Sequence, residues 1–317
     1  MSDFFHILAF SFSVTGPIFV ILALGVILKR VGMINDAFVE IGSRLVFNVT
    51  LPALLFISIS KTHISESANF LLIAYGAAAT LLAFFLSEWL ARLLVFPAED
   101  RGVVVQGVFR SNMGIIGLAY CANAYGEAGL VAASLYLGLI TILFNILSVI
   151  TLSRSLHQKS QGVAPILKNI AKNPLIIGIL LALPVSWLQV PLPAVLLKSG
   201  EYFAQMTLPL ALLCTGAALD FHSMRQDMAK TVGASVGKLV LIPALFAVGA
   251  IGLGFHGMDL GIVLLMAFAP TAAASYVMVK AMGGNAVLAA NIIAMTTVGS
   301  LLTTSLGITL VKSIGLM

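Results

Sequence analysis

The chain has 317 residues, of which 60% are hydrophobic and only 9% charged, where a soluble domain carries about 25% charged residues. With a mean hydropathy of +1.09, a water-soluble globule of this length has no interior large enough to hide its apolar surface, and a polytopic membrane protein remains. The net charge of +5 resides in short loops, as flanks of membrane spans require, and does not mark a nucleic-acid face. Two cysteines, Cys121 and Cys214, are too few for a disulfide framework or a metal site.

Residues 1–13 form a short lead with one acid, Asp3. A first span is predicted over Val14–Leu28, opening at Gly16-Pro17 and ending against Lys29-Arg30; lacking a small-residue cleavage site, it reads as a retained span rather than a signal peptide. The second, Ala37–Ser60, carries Glu40 and Arg44 four residues apart and then Asn48-Val49-Thr50-Leu51-Pro52, where the proline removes a donor and is expected to break the helical ladder. The third, Asn69–Leu94, has Glu88 and Arg92 placed to pair near its end. After Glu99-Asp100-Arg101 comes the fourth, Val103–Ala122, and then the fifth, Ala128–Leu152, with Asn145 well inside. The longest polar connection, Ser153–Asn173, holds Arg154, Lys159, Lys168 and Lys172 and no acid. The sixth span is Pro174–Leu188 and the seventh Leu196–Leu219, with Thr207-Leu208-Pro209 inside it. Beyond the charged loop Asp220–Lys230 lie the eighth, Thr231–Gly254, and the ninth, Leu260–Met282, interrupted by Pro270-Thr271. The tenth, Val287–Ile314, is rich in hydroxyls: Thr296, Thr297, Ser300, Thr303, Thr304 and Ser305.

The fourth span contains the stretch least at home in a bilayer, Phe109-Arg110-Ser111-Asn112-Met113-Gly114-Ile115-Ile116-Gly117-Leu118. An arginine at mid-span costs roughly 2.5–3.5 kcal/mol on insertion scales. Gly114 and Gly117 each weaken a helix by about 1 kcal/mol relative to alanine. Polar, breakable backbone is tolerated at that depth where it lines a cavity inside the protein, so the stretch reads as half of a substrate site.

The two halves of the chain echo one another. Pro17 recurs as Pro174, and Thr50-Leu51-Pro52 as Thr207-Leu208-Pro209, each 157 residues on. Gly126, Ala128, Leu130 and Ala132 recur as Gly284, Ala286, Leu288 and Ala290, and Ile150-Thr151-Leu152 as Ile308-Thr309-Leu310, each 158 residues on. A nearly constant offset implies a duplication, residues 1–155 and 156–317, of five spans each. Five is odd, so the second copy is inverted in the membrane, the plan of many secondary transporters. Under the same offset Asn112 falls on Pro270, so the breaks in spans four and nine are equivalent and should cross near the midplane. Loop charge gives the orientation. Connections after odd-numbered spans carry Lys29, Arg30, Arg92, Arg101, Arg154, Lys159, Lys168, Lys172, Arg225, Lys230 and Lys280, against Lys61, Lys198 and Lys312 opposite. Both termini are therefore expected on the non-cytoplasmic side.

Three motifs resemble those of the auxin efflux carrier family, which includes plant carriers and bacterial malate and malonate permeases. They are Asn48-Val49-Thr50-Leu51-Pro52-Ala53-Leu54-Leu55-Phe56, Phe109-Arg110-Ser111-Asn112 followed by Gly114 and Gly117-Leu118, and Ala269-Pro270 through Gly283-Gly284-Asn285-Ala286 into span ten. The resemblance covers nearly the whole chain. It implies a scaffold of spans one, two, six and seven, a transport bundle of spans three to five and eight to ten, elevator-like motion, and a homodimer seated on the scaffold in a bacterial inner membrane. Ala119 stands where many members have proline, which implies a gentler bend there, and the long loop of many plant carriers is absent. The short bacterial carriers are thus the nearer pattern.

Arg110 is assigned to anion binding rather than to snorkelling or an ion pair. It lies deep, no acid sits within one turn, and its fork matches a carboxylate. Ser111, Asn112 and Gly114 join it, facing Pro270 and Thr271 as the equivalent half-helix end; such ends offer free amides and partial positive charge. Asn145 and its equivalent Thr303 are weighed as cavity lining against simple helix–helix links. Pro52 and Pro209 are assigned as structural kinks, and Glu88 with Arg92 as an interfacial ion pair. His6, His63, His157, His222 and His256 fall near loops. No cofactor or metal is expected. The reading is an all-α carrier of small organic anions, mono- or dicarboxylates. A sodium-coupled symporter of the bile-acid type, an intramembrane enzyme and a channel are the rivals.

Overall fold

The computed structural model describes residues 2–61, 69–156, 172, 174–219 and 227–317, with side chains from residue 9 onward except that of Ala281. Most of the basic connection Ser153–Asn173 and of the loop Asp220–Lys230 lies outside these residues, as do His63, His157, His222, Lys159, Lys168 and Arg225. The described chain is helical, and its only β pairing is one isolated bridge, Ser111 with Thr271. Six of its helical stretches are long and apolar enough to cross a membrane, and Pro174–Leu188 and Gly257–Phe268 are shorter apolar helices.

Helix α1 covers Ser2–Arg30 and runs through Pro17 without interruption, rather than opening there as the sequence implies. One missing hydrogen bond is tolerated because neighbouring helices hold the segment. Asn35 caps α2 (Asp36–Leu45), accepting from the Phe38 amide at 2.9 Å. A wide π turn, Val46–Thr50, leads into α3 (Leu51–Ser60). The expected break at Pro52 is therefore absorbed. The proline sits in the first turn of α3, and the extra residue in the π turn takes up the register its ring disrupts. The same device recurs where the π turn Gly237–Leu241 precedes Pro243.

Asn69 caps α4 (Phe70–Leu94) through the Leu72 amide at 3.1 Å. Helix α5 (Arg101–Phe109) stops at the polar stretch; a π turn, Met113–Gly117, follows, and α6 (Leu118–Ser155) begins. Spans four and five are joined not by a loop but by a single kink at Gly126, whose φ of 62° suits a residue without a Cβ. Helices α7 (Pro174–Leu188) and α8 (Ala194–Ala217) follow; α9 (Met228–Val236) continues through the second π turn into α10 (Ile242–Gly252). Helix α11 (Gly257–Phe268) breaks at Ala269-Pro270-Thr271, α12 (Ala274–Ala281) resumes, and α13 (Ala286–Ser313) closes the order.

Two packing groups result. Helix α1 lies along α8, and α3 lies against α7 and α8. The α1–α8 approach is so close that a methyl group at Gly25 would collide with the Leu213 carbonyl, and one at Gly216 with the Leu22 carbonyl. Helices α4, α5, α6, α9, α10, α11 and α13 form the other group. In its core Phe109 meets Phe84 and Phe144 edge-on, with ring centres 5.3 and 5.6 Å away, which pins the end of α5 just before Arg110.

Polar clamps tie the second group at its ends. Lys230 Nζ contacts Asp100 at 2.5 Å and Asp227 at 2.7 Å, and Asn285 Nδ2 donates to the same two carboxylates at 3.2 and 3.0 Å. Hydrogen bonding from Lys230 holds the Asp227 carboxyl below its ordinary range. Elsewhere Asn69 Nδ2 donates to Asp259 at 2.8 Å. An apolar groove of about 670 Å³, lined by residues including Phe70, Leu139, Ile179 and Trp187, separates α4 and α6 from α7. Its walls offer an anion nothing.

Candidate functional site

Helices α5 and α11 both end inside the protein, and each end leaves carbonyls without intrahelical partners. The extended segments that follow, Arg110–Asn112 and Ala269–Thr271, pair antiparallel. The Asn112 amide donates to Pro270 O at 2.7 Å and the Ala272 amide to Arg110 O at 3.0 Å. This short ladder satisfies backbone groups that the bilayer interior cannot. Thr271 staples it: its amide donates to Thr296 Oγ1 on α13 at 3.1 Å, and its hydroxyl to the α5 carbonyl of Gly107 at 2.6 Å. Gly117 lets the broken segments approach, since a methyl there would lie 2.7 Å from Met266 Sδ. At Gly114 the same methyl would meet only ordinary contact with Leu51, at 3.6 Å.

In extended backbone successive side chains point to opposite faces, and the polar stretch is divided that way. Arg110, 7% exposed, faces α6, where Nη2 donates to Asn145 Oδ1 at 2.9 Å and Nη1 to Ser148 Oγ at 3.3 Å. Nη1 also lies 3.6 Å from Met278 Sδ on α12. Asn145 and Ser148 are three residues apart on one face of α6, so both reach the guanidinium. Ser111 faces the other way, and its hydroxyl accepts from Lys238 Nζ. Among the described residues Asn112, also 7% exposed, has a carboxamide with no hydrogen bond to protein.

The crossing thus brings together Arg110, Ser111, Asn112, Asn145, Pro270 and Thr271. Thr271 is occupied in holding the bridge, and Pro270 contributes its carbonyl. Thr303 is not gathered in; it donates to Gly299 O of its own helix at 3.3 Å. Pro52 packs its backbone against Gly178 of α7, and Pro209 lies within α8, both outside the crossing. Glu88 has a closer partner than Arg92: Thr151 Oγ1 donates to it at 2.5 Å, whereas Arg92 stands 3.9 Å away.

Two residues at the crossing were passed over in the sequence. Lys238, fully buried, rises from the π turn Gly237–Leu241 to Ser111 and to Ala267 O, the latter at 3.1 Å. Gln106, fully buried one turn before Arg110, donates to Met278 Sδ at 3.2 Å, and its Oε1 has no partner among the described residues. A lysine inside the apolar run of the eighth span was the available signal for the first, and a glutamine on the arginine's face of α5 for the second.

A sequence profile described as that of membrane transport proteins matches residues 12–308. The chain belongs to the auxin efflux carrier family. It is a multi-pass membrane protein of a transporter family, not an enzyme family. Two relatives bear the name of uncharacterised transporters. One, from Methanothermobacter thermautotrophicus, is 25% identical over 260 residues, covering 80% of this chain and 83% of its own. The other, from Methanocaldococcus jannaschii, is 25% identical over 301 residues, covering 91% and 95%. A third, from Rhizobium meliloti and named "Putative malonate transporter", is 26% identical over 270 residues, covering 81% and 82%.

Proposed function

We propose that this carrier moves small organic anions, mono- or dicarboxylates, as a secondary transporter, and that the anion binds where the two broken helices cross. One observation carries the reading. Arg110 is buried there with only neutral partners among the described residues, beside a buried Asn112 whose carboxamide is uncommitted. A charge withdrawn from water needs a counter-charge, and a mobile anion supplies one. The guanidinium gives charge and a fork, and the amide gives directed donors. The name of the Rhizobium relative supports a carboxylate.

The first packing group serves as scaffold and the second as a transport bundle that moves against it, elevator fashion, carrying the crossing between the two faces. The two groups comprise ten spans in two inverted repeats, residues 1–155 and 156–317, and the scaffold seats a homodimer in a bacterial inner membrane. The polar clamps support the repeat: Asn69 and Asp227, which stand 158 residues apart, open α4 and α9; Asn69 bonds to Asp259 at the start of α11, and Asp227 is linked through Lys230 and Asn285 to Asp100, just before α5. Counterflow in proteoliposomes tests the function. Internal unlabelled malonate should accelerate entry of labelled malonate. Flux indifferent to the trans side marks a channel, and failure of malonate and a panel of other small carboxylates both to be carried and to stabilise the purified protein sinks the reading.

A further inference from the structure

Lys238 is a fully buried lysine whose Nζ bonds to two neutral oxygens, Ser111 Oγ and Ala267 O. The carbonyl belongs to the last turn of α11, an end that carries partial negative charge and faces no water. Carbonyl ends of broken helices are where secondary transporters hold coupling cations, and oxygen ligands suit sodium. Here that place is filled covalently. The elements packed around the π turn add no counter-ion. Helix α10 carries no charged residue, α9 has Lys230 at its start, α13 has Lys312 at its far end, and α5 has Arg101, with Arg110 just beyond its end. On α11 the acid is Asp259, two turns before Ala267 and bonded to Asn69. A sodium ion at this carbonyl end would therefore meet an ammonium with no carboxylate between them.

The arrangement is one-sided. The residue 158 positions before Lys238 is Thr80, a buried hydroxyl with no partner among the described residues, and the carbonyl end of α5 is met by the neutral hydroxyl of Thr271. Only the α11 end receives a full charge.

We propose that Lys238 is a tethered substitute for a coupling cation: its ammonium holds the carbonyl end of α11 in place of sodium, and removing it opens a monovalent-cation site there. The proposal rests on the crossing being the transport site, and it separates this carrier from the sodium-coupled rival.

The test compares the wild type with Lys238→Ala and Lys238→Arg. Thermal stability is read in sodium chloride against choline chloride without any anion, and malonate counterflow is read in the same two salts. The wild type and Lys238→Arg should be indifferent to sodium in both measurements. Lys238→Ala should be stabilised by sodium, which should also tighten malonate binding about tenfold, a usual size for coupling between two ligands. Sodium-stimulated uptake or sodium-specific stabilisation of the wild type overturns the proposal and requires no variant to fold. A folded Lys238→Ala that ignores sodium overturns it equally. Absence of malonate transport in every protein counts against the carboxylate reading instead, while the thermal comparison still decides the role of Lys238.

Discussion

Arg110 and Asn112 are two residues apart, yet their losses should differ in kind. On the proposed reading Arg110→Ala removes the charge that repays an anion for its lost hydration, so transport should fall nearly to background while the protein still inserts. Arg110→Lys should recover part of it, because a point charge lacks the fork. Native rates from folded Arg110→Ala would make the arginine structural. Asn112→Ala should weaken anion binding by about 1–3 kcal/mol, the penalty of an unmet buried partner, as read by calorimetry. Thr271 belongs to a different class, since both its amide and its hydroxyl bond to protein. Thr271→Val should lower the melting temperature even without ligand. The residues around the arginine were partly legible: Asn145 stood out as a polar residue inside a span, but nothing in the sequence tells which of Asn145 and Thr303 meets the guanidinium. Helix rotation decides that.

The elements show where helical periodicity misleads. Pro17 reads as the opening of a span and Pro52 as a break, yet the helix runs on through both, at Pro52 by way of a π turn, and Pro209, read as a kink, lies inside α8. The breaks at Arg110–Asn112 and Ala269–Thr271 are real because each extended strand supplies the hydrogen bonds the other needs. The α1–α8 seam depends on bare backbone at Gly25 and Gly216. Gly216→Leu should destabilise by at least about 1–3 kcal/mol, the usual cost of overpacking, seen as a lower melting temperature in detergent; an unchanged melt would mean the helices can separate freely. The clamp of Asp100, Asp227, Lys230 and Asn285 makes a pH prediction. The folded carboxyl of Asp227 is held below its ordinary range by Lys230, so its contribution is present above the unfolded pKa of about 3.9 and is lost as pH falls through the lower folded value. Melting temperature should drop with acid below about pH 4, and Lys230→Met should flatten that part of the profile. A variant with the same acid slope as the wild type would assign the loss to other carboxylates.

For the whole molecule, the expectation from loop charge is that both termini lie outside and the basic connection inside. Cys121 and Cys214 are buried, so single cysteines introduced at Ser2, Gln161 and Met317 can be labelled from outside against a low background. Labelling at Ser2 and Met317 alone is the expected result, and labelling at Gln161 alone would turn the topology over. Cross-linking in lipid should join copies through α3 and α8; contacts made only through the broken helices would remove the scaffold dimer.

What the sequence determined by itself is what composition and local chemistry can carry. An apolar content of 60% demands a bilayer, and the arginine-asparagine-glycine stretch demands an internal polar site, because each is costly anywhere else. Family membership was likewise readable, from motifs in order along nearly the whole chain. The tertiary structure alone decided which polar groups face the crossing. Lys238 reads as one more basic residue in a chain with a basic balance. It reaches the crossing only because α11 ends where the lysine's stem can reach, with Ser111 turned toward it by the alternation of an extended strand. Contacts of that kind join residues 29 and 127 positions apart, and no local pattern records them.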